Sequence, residues 1–312
     1  MSAQVVPSLA KWAWLSIAAA VVTIALKSTA YLLTGSVGLL SDALESVVNL
    51  VAAVLALIAI SIAARPADET HQYGHGKVEY FSAGAEGLMI LVASLLIVAS
   101  AVQRLFNPQP LEELGIGLAI TLVATAINGA VGFLVLRAGR QHRSITLVAD
   151  GKHLLTDVWT SAGVVIGVGL VALTGWLPLD SLVAIAVAIN ILWTGFGLVR
   201  HSMNGLMDHA MPTADVEGVT AALRSVSSAF PAGDVEFHAV QTREAGRERF
   251  VSMHVLVPGE WTVTQGHDLL EQVEEAVQQA VHGAQVHTHL EPREDPRSYE
   301  DAGGGFAVGP GS

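Results

Sequence analysis

Residues 37–64 have the sequence VGLLSDALESVVNLVAAVLALIAISIAA, in which Asp42, Glu45 and Asn49 interrupt a run of apolar and small residues. About 20 such residues suffice to cross the roughly 30 Å hydrocarbon core of a bilayer as a helix. The stretch is therefore predicted to be a transmembrane helix. Because a carboxylate near the bilayer centre costs about 2.5–3.5 kcal/mol, its polar residues are predicted to have a function.

Five further stretches are long and apolar enough to cross a membrane: residues 9–33, 80–105, 114–136, 144–174 and 180–200. Basic residues occur at Lys11 near the start of the first span, in the second and fourth links and at Arg200, where the last span ends, whereas the other links contain none. By the positive-inside rule, this alternation predicts that both termini are cytoplasmic. Lys27 and Arg104 lie toward the outer ends of their spans, where long side chains are expected to extend to water. The sequence thus predicts an all-α bundle of six transmembrane helices.

The overall composition supports a membrane protein and excludes several kinds of function. Hydrophobic residues make up 52% of the 312 residues and charged residues only 14%, compared with about 25% charged in soluble proteins. The absence of cysteine excludes disulfides, thiol catalysis, iron–sulfur clusters and thiolate metal sites. The net charge is −12, mostly in the last hundred residues, and an acidic region repels nucleic acid. Any bound metal must therefore use histidine nitrogens and carboxylate or amide oxygens.

A soluble domain is predicted after the last span, because the hydrophobic periodicity changes after Met211. Two stretches have the pattern of amphipathic helices and three that of short alternating strands, in the order αββαβ: residues 213–228, 234–240, 250–257, 264–282 and 285–290. The predicted organisation is a transmembrane transport domain over residues 1–211, a small cytoplasmic α+β domain over 212–293 and a disordered tail over 294–312.

The fifth span repeats the polar spacing of the second. In each span, polar residues step by three and then four positions, so they lie on one helix face: Asp42, Glu45 and Asn49 in one, and Asp150, His153 and Asp157 in the other. At 1.5 Å per residue, Glu45 lies about 13 Å below the outer surface and His153 about 15 Å above the inner one. The two sets are therefore expected to meet near the midplane.

Four of these residues form a nitrogen and oxygen ligand set that suits Zn²⁺ or a similar divalent ion: Glu45, Asn49, His153 and Asp157. Asp42 and Asp150 are interpreted as supporting residues. Interhelical hydrogen bonding is the alternative role, and for Asn49 alone both roles stay open. Glu86 in the third span is a supporting group, a proton carrier or a partner for a neighbouring helix, and Lys152 has no assigned role.

Two further clusters contain histidine. Between the second and third spans, His71 and His75 are spaced i, i+4, and Asp68 comes three residues earlier, which makes a compact candidate site. The soluble domain holds six of the twelve histidines of the chain: His238, His254, His267, His282, His287 and His289. These are either metal ligands or solvated side chains on an acidic surface.

The motifs resemble those of the cation diffusion facilitator family of divalent-metal transporters. They are Gly-Ser-Val at residues 35–37, the paired polar positions of the second and fifth spans, Gly-His-Gly-Lys-Val-Glu at residues 74–79, and the histidine-bearing soluble domain. The resemblance covers residues 8–293 and is greatest to the bacterial ferrous-iron and zinc efflux branch. It implies a homodimer of six-span subunits that exchanges cytosolic metal for external protons by alternating access.

The resemblance also implies roles for individual residues. The transport site would contain Glu45, Asn49, His153 and Asp157, and the loop site Asp68, His71 and His75. The cytoplasmic domain, which resembles a metallochaperone and dimerises in the family, would bind metal through His238, His254, His267, His289 and Glu291. Lys77 and Asp208 match a charge pair that joins the two domains. Glu45 and Asn49 stand where the family usually has Asp or His followed by Asp, so the transport site has one carboxylate fewer than the two-Asp form.

The sequence therefore predicts a proton-coupled exporter of Zn²⁺, Fe²⁺ or both, in the inner membrane of the cell and surrounded by lipid, without an organic cofactor or nucleic-acid partner. A preference for Mn²⁺, Co²⁺ or Cd²⁺ is the alternative within the same family. An intramembrane metallohydrolase is disfavoured because the motif His-Glu-x-x-His is absent. A membrane metal sensor is disfavoured because one span would suffice as an anchor. No enzymatic activity is expected.

Overall fold

The computed structural model describes residues 9–34, 37–107, 116–176, 178–300 and 305–308. The chain divides into two compact units, residues 1–204 and residues 205–312. Each unit has a hydrophobic core of its own.

The first unit contains the helices α1 (Ala10–Thr34), α2 (Val37–Ala63), α3 (Val78–Phe106), α4 (Ile116–Gln141), α5 (Ile145–Thr174) and α6 (Pro178–Leu206). Within the described residues, five of them are long and apolar enough to cross a membrane, namely all but α5. α5 has 30 residues, which makes it about 45 Å long and so long enough to cross. Its first half contains Asp150, Lys152 and Asp157. The predicted all-α membrane bundle is confirmed, with α5 as its polar member.

Glycines allow α4 and α5 to approach each other closely. A Cβ atom added to Gly139 of α4 would lie 2.6 Å from the backbone nitrogen of Val148 in α5. One added to Gly151 of α5 would lie 2.6 Å from the backbone nitrogen of Leu136 in α4. Such small residues let membrane helices pack backbone to backbone, because apolar lipid provides no hydrophobic force between helices. This packing fixes the position of α5, the helix that carries His153 and Asp157.

The second unit is an α+β domain with the elements α7 (Thr213–Ser227), β1 (Glu236–Ala245), β2 (Glu248–Val257), α8 (Val263–Ala280), β3 (Ala284–Pro292) and β4 (Phe306–Val308). The strand order is β3-β2-β1-β4. β1 pairs antiparallel with β2 and β4, and β2 pairs parallel with β3. The helices bury apolar residues against this sheet, among them Leu223 of α7 and Val273 of α8. The predicted order αββαβ is confirmed.

Part of the segment predicted to be disordered is ordered in the structure. Pro296–Tyr299 forms a 3₁₀ helix, and β4 pairs with β1 through Phe306 and Val308. Hydrogen bonds from Arg297 lower the pKa of the Asp295 carboxyl, which caps this short helix, to about 2. A glycine-rich composition does not reveal this strand, because an added strand needs only an open sheet edge and a few buried side chains.

Candidate metal sites

The helices α2 and α5 bring two of the predicted transport ligands into contact. Nε2 of His153 lies 2.7 Å from Oδ1 of Asn49, and the two residues are 7% and 2% exposed. Because an amide oxygen only accepts hydrogen bonds, Nε2 is the donor, and in the neutral imidazole Nδ1 then has the lone pair. This Nδ1 has no hydrogen-bond partner within the part of the chain that the structure describes. Two side chains of metal-ligating type, an imidazole and an amide, thus meet away from solvent, and Nδ1 is the imidazole atom free to bind a metal.

The third predicted ligand, Asp157, contacts two other helices. Asn128 of α4 donates a short hydrogen bond to its Oδ2, and Nζ of Lys27 in α1 lies 3.7 Å from its Oδ1. The prediction that Lys27 extends to water is wrong, because its side chain is 0% exposed. An ammonium group is far less costly to bury beside a carboxylate than alone. Sequence reasoning missed Lys27 and Asn128 as partners of Asp157.

The side chains of Asp42 and Glu45 lie outside the described residues, so their assignment stays a prediction. α2 is a helix through both positions, and Glu45 precedes Asn49 by four residues, or about one turn. The structure therefore describes the side chains of three of the four predicted transport ligands, and two of these, His153 and Asn49, are in direct contact.

Two further carboxyl groups are buried in the bundle. Ser16 of α1 donates a hydrogen bond of 2.6 Å to Oδ2 of Asp150, which is 1% exposed. Ser82 donates one of 3.4 Å to Oε1 of Glu86, one turn further along α3. Asp150 thus links α1 to α5 one turn before His153, and its supporting role stays a prediction.

The loop between α2 and α3 brings Asp68, His71 and His75 together, with one ligand atom from each lying within 4.8 Å of the others. Oδ1 of Asp68 accepts hydrogen bonds from the side chain and backbone of Thr70 and from the backbone of His71. These bonds hold the pKa of the Asp68 carboxyl well below its usual value. Its second oxygen, Oδ2, lies 3.3 Å from Nε2 of His75. The loop therefore presents an ionised carboxylate beside two imidazoles.

The sheet of the second unit assembles the other cluster. His238 and His254 face each other in the register of β1 and β2. Oε2 of Glu291, on β3, lies 3.0 Å from Nε2 of His238 and 3.2 Å from Nδ1 of His254. The strand register is irregular just after His238, and such bulges re-aim side chains. One ligand atom from each of the three residues lies within 4.8 Å of the others.

The other two predicted ligands of this domain lie outside that trio. The ring of His289, paired with His254 in the register of β2 and β3, is 5.0 Å from the ring of His254. His267 lies on α8, where it is 67% exposed and 3.9 Å from Glu271. Their assignment stays a prediction.

The predicted charge pair consists of one residue from each unit. Lys77 directly precedes α3. Asp208 has a positive φ of 56°, and its Oδ1 lies 3.1 Å from Nη1 of Arg243 in its own unit. Arg243 is a partner that sequence reasoning missed, and the pairing of Lys77 with Asp208 stays a prediction.

A bundle of apolar helices with buried metal-ligand side chains, followed by a histidine-bearing α+β domain, defines a multi-pass membrane protein that handles metal ions. Residues 13–207 match the cation efflux transmembrane domain, and residues 212–293 match the cytoplasmic domain of cation efflux proteins. The chain therefore belongs to the cation efflux family, the cation diffusion facilitators, which are metal transporters and not enzymes.

Several known proteins are similar to this chain. The uncharacterized transporter sll1263 of Synechocystis sp. is 51% identical over 291 residues, which cover 93% of this chain and 92% of that one. The cation-efflux pump FieF of Klebsiella pneumoniae is 29% identical over 267 residues, covering 86% and 87%. The solved metal-bound C-terminal domain of the CzcD transporter from Thermotoga maritima is 23% identical, with a TM-score of 0.24, and covers 28% of this chain and 99% of that one.

Proposed function

We propose that the protein exports Zn²⁺, Fe²⁺ or both from the cytoplasm in exchange for protons, by alternating access. The observation that carries this proposal is the buried contact between His153 and Asn49 at 2.7 Å. Two ligand types that suit divalent cations meet between α2 and α5 in a chain whose family transports metals. The proposed transport ligands are Glu45, Asn49, His153 and Asp157.

Coupling to protons follows from the chemistry of these ligands. A metal ligand must be deprotonated, so metal and proton compete for the same atoms. Histidine suits this competition because imidazole changes its charge between pH 5 and 8. His153 and Asp157 would release the metal on taking up protons on the outer side and rebind metal after losing them on the cytoplasmic side.

The proposed orientation places both termini in the cytoplasm and the bundle in the inner membrane. It is supported by the basic residues at the proposed cytoplasmic ends of the spans. Examples are Arg137 and Arg140 near the end of α4 and Arg143 just after it. The loop site and the His238 cluster would then both face cytosolic metal. We propose that they bind it as regulatory sites and that the cytoplasmic domains pair in a homodimer, with Zn²⁺ as the metal that their nitrogen and oxygen ligands favour.

The test is flux of Zn²⁺, Fe²⁺, Mn²⁺, Co²⁺ and Cd²⁺ into proteoliposomes with an imposed pH gradient. Proton-coupled zinc or iron flux is expected. His153→Ala and Asp157→Ala should each reduce it more than about tenfold, because each removes one of the four proposed ligands. Loss of a residue that only orients a metal ligand already lowers metal affinity or activity by about 10- to 100-fold. The control is His201→Ala, which changes an exposed histidine of α6.

Normal zinc and iron flux in either ligand variant would contradict the assignment of the site. Flux of only Mn²⁺, Co²⁺ or Cd²⁺ would change the substrate within the same family. Metal binding without flux would indicate a sensor.

A further inference from the structure

Lys27 places a positive charge inside the membrane bundle. Its Nζ lies 3.7 Å from Oδ1 of Asp157, and the two side chains are 0% and 3% exposed. Oδ1 makes no hydrogen bond within the described part of the chain, so the contact is ionic. The other carboxylate oxygen of Asp157 accepts a hydrogen bond from Asn128. Asp157 therefore has an amide donor on one side and a cation on the other.

The geometry suits a counter-ion that can be displaced. A lysine ammonium is a compact charge on a flexible four-carbon stem, without the rigid fork with which arginine grips a carboxylate. An ionic contact without a hydrogen bond is also less directional than a hydrogen-bonded pair. Lys27 can therefore neutralise Asp157 without fixing the direction of its Oδ1.

We propose that Lys27 is an internal cation that competes with the transported metal for Asp157. This inference rests on the metal-transport function proposed above. A divalent ion ligated by Oδ1 of Asp157 would lie close to the ammonium group, and like charges repel strongly where water is excluded. Metal binding therefore requires Lys27 to withdraw, and its return to Asp157 favours release of the metal. Lys27 thereby keeps the affinity of the site low enough for transport.

The charges of the proposed ligand set agree with this role. Glu45 and Asp157 bring two negative charges, which alone would neutralise a divalent cation. If Lys27 stayed 3.7 Å from Asp157, the occupied site would instead carry a net positive charge in a buried place, so the metal must displace Lys27. The cost of this displacement makes the site bind metal more weakly than the carboxylates alone would, and the return of Lys27 leaves no unpaired carboxylate at Asp157 once the metal has left.

The experiment compares zinc flux in full-length wild type, Lys27→Gln and Lys27→Arg in proteoliposomes. Lys27→Gln removes the competing charge, so KM for Zn²⁺ should fall about tenfold. A change of this size is usual when one bound group affects the affinity of a protein for another. Its kcat should fall as well, because release becomes slower. Lys27→Arg keeps the charge, so its KM should be no lower than that of the wild type. Arg104→Gln, which removes a positive charge from an exposed position of α3, should leave both parameters unchanged.

A folded Lys27→Gln protein whose KM is equal to or above the wild-type value would overturn the inference. Gel filtration and thermal unfolding report whether the protein is folded, and Lys27→Met is the second neutral variant. If both neutral variants fail to fold while Lys27→Arg transports normally, Lys27 has a structural role and the inference is also overturned. If wild-type flux is absent or insensitive to His153→Ala, the proposed function fails instead.

Discussion

At the scale of single residues, Asn49 distinguishes the proposed transport site from the two-Asp form that the sequence resemblance implies for the family. Its Oδ1 contacts His153 at 2.7 Å, but an amide takes up no proton at physiological pH. As a ligand, Asn49 would offer an oxygen without contributing to the exchange of protons. The buried contact is consistent with both roles left open by the sequence, ligand and interhelical hydrogen bond, and substitution separates them.

Replacing Asn49 by Asp keeps the oxygen that contacts His153 and adds a negative charge. If Asn49 is a ligand, Asn49→Asp should bind Zn²⁺ about tenfold more tightly, which is about 1.4 kcal/mol. Binding should weaken more steeply as the pH falls, because one more ligand must lose its proton before the metal binds. Zinc titrations of the purified variant at two pH values measure both effects.

The control is Asn49→Ala, which should bind zinc more weakly than the wild type. Equal affinities and equal pH slopes in folded wild type and Asn49→Asp would remove Asn49 from the metal site.

At the scale of elements, Glu79 connects α3 to the start of α5 through hydrogen bonds. Its carboxylate oxygen Oε2 accepts hydrogen bonds of 2.5 Å from Ser144 Oγ and 3.4 Å from the backbone nitrogen of Thr146. Its carbonyl oxygen accepts one from the side chain of Thr146. A carboxylate at the first turn of a helix also interacts favourably with the helix dipole. Glu79 is the last residue of the motif at residues 74–79, and these hydrogen bonds explain why a glutamate at that position stabilises the bundle.

Replacing Glu79 by Ala should destabilise the membrane unit by about 1–3 kcal/mol, because buried donors at the start of α5 lose their acceptor. Thermal unfolding of the detergent-solubilised protein measures the loss. Glu79→Gln keeps one acceptor oxygen and should be affected less. If Glu79→Ala unfolds at the wild-type temperature, this contact does not stabilise the bundle.

At the scale of the whole molecule, charge and metal sites are unequally distributed between the two units. Most of the net charge of −12 lies in the last hundred residues, which include the trio of His238, His254 and Glu291. Two such acidic domains repel each other, and bound cations offset that repulsion. Cytosolic metal is therefore expected to promote pairing of the cytoplasmic domains.

The isolated fragment 205–312 should become more compact or dimerise when stoichiometric Zn²⁺ is added, because the bound metal offsets the acidic charge. Small-angle scattering with and without Zn²⁺ measures this change. His238→Ala should abolish it, whereas His282→Ala, which changes a histidine outside the trio, should not. Scattering profiles that zinc leaves unchanged would refute metal-driven pairing.

Local patterns in the sequence determined the elements and the similar depth of Asn49 and His153 in the membrane. A span needs only a run of apolar residues, and a strand only a short alternation, so both are recognisable without knowledge of their neighbours. The shared depth of the two residues was predictable because helical rise and span direction give it. The depth of each residue is read from its own span, which is about thirty residues long.

Only the tertiary structure decided which distant groups face each other. Lys27 and Asp157 are 130 residues apart, and their pairing depends on how α1 and α5 are rotated about their axes. Likewise, β4 exists as a strand because the edge of β1 is open to it, and Glu291 joins His238 because β2 lies between their strands. Helix rotation and sheet order are set by the packing of the whole core, so no single stretch of sequence contains them.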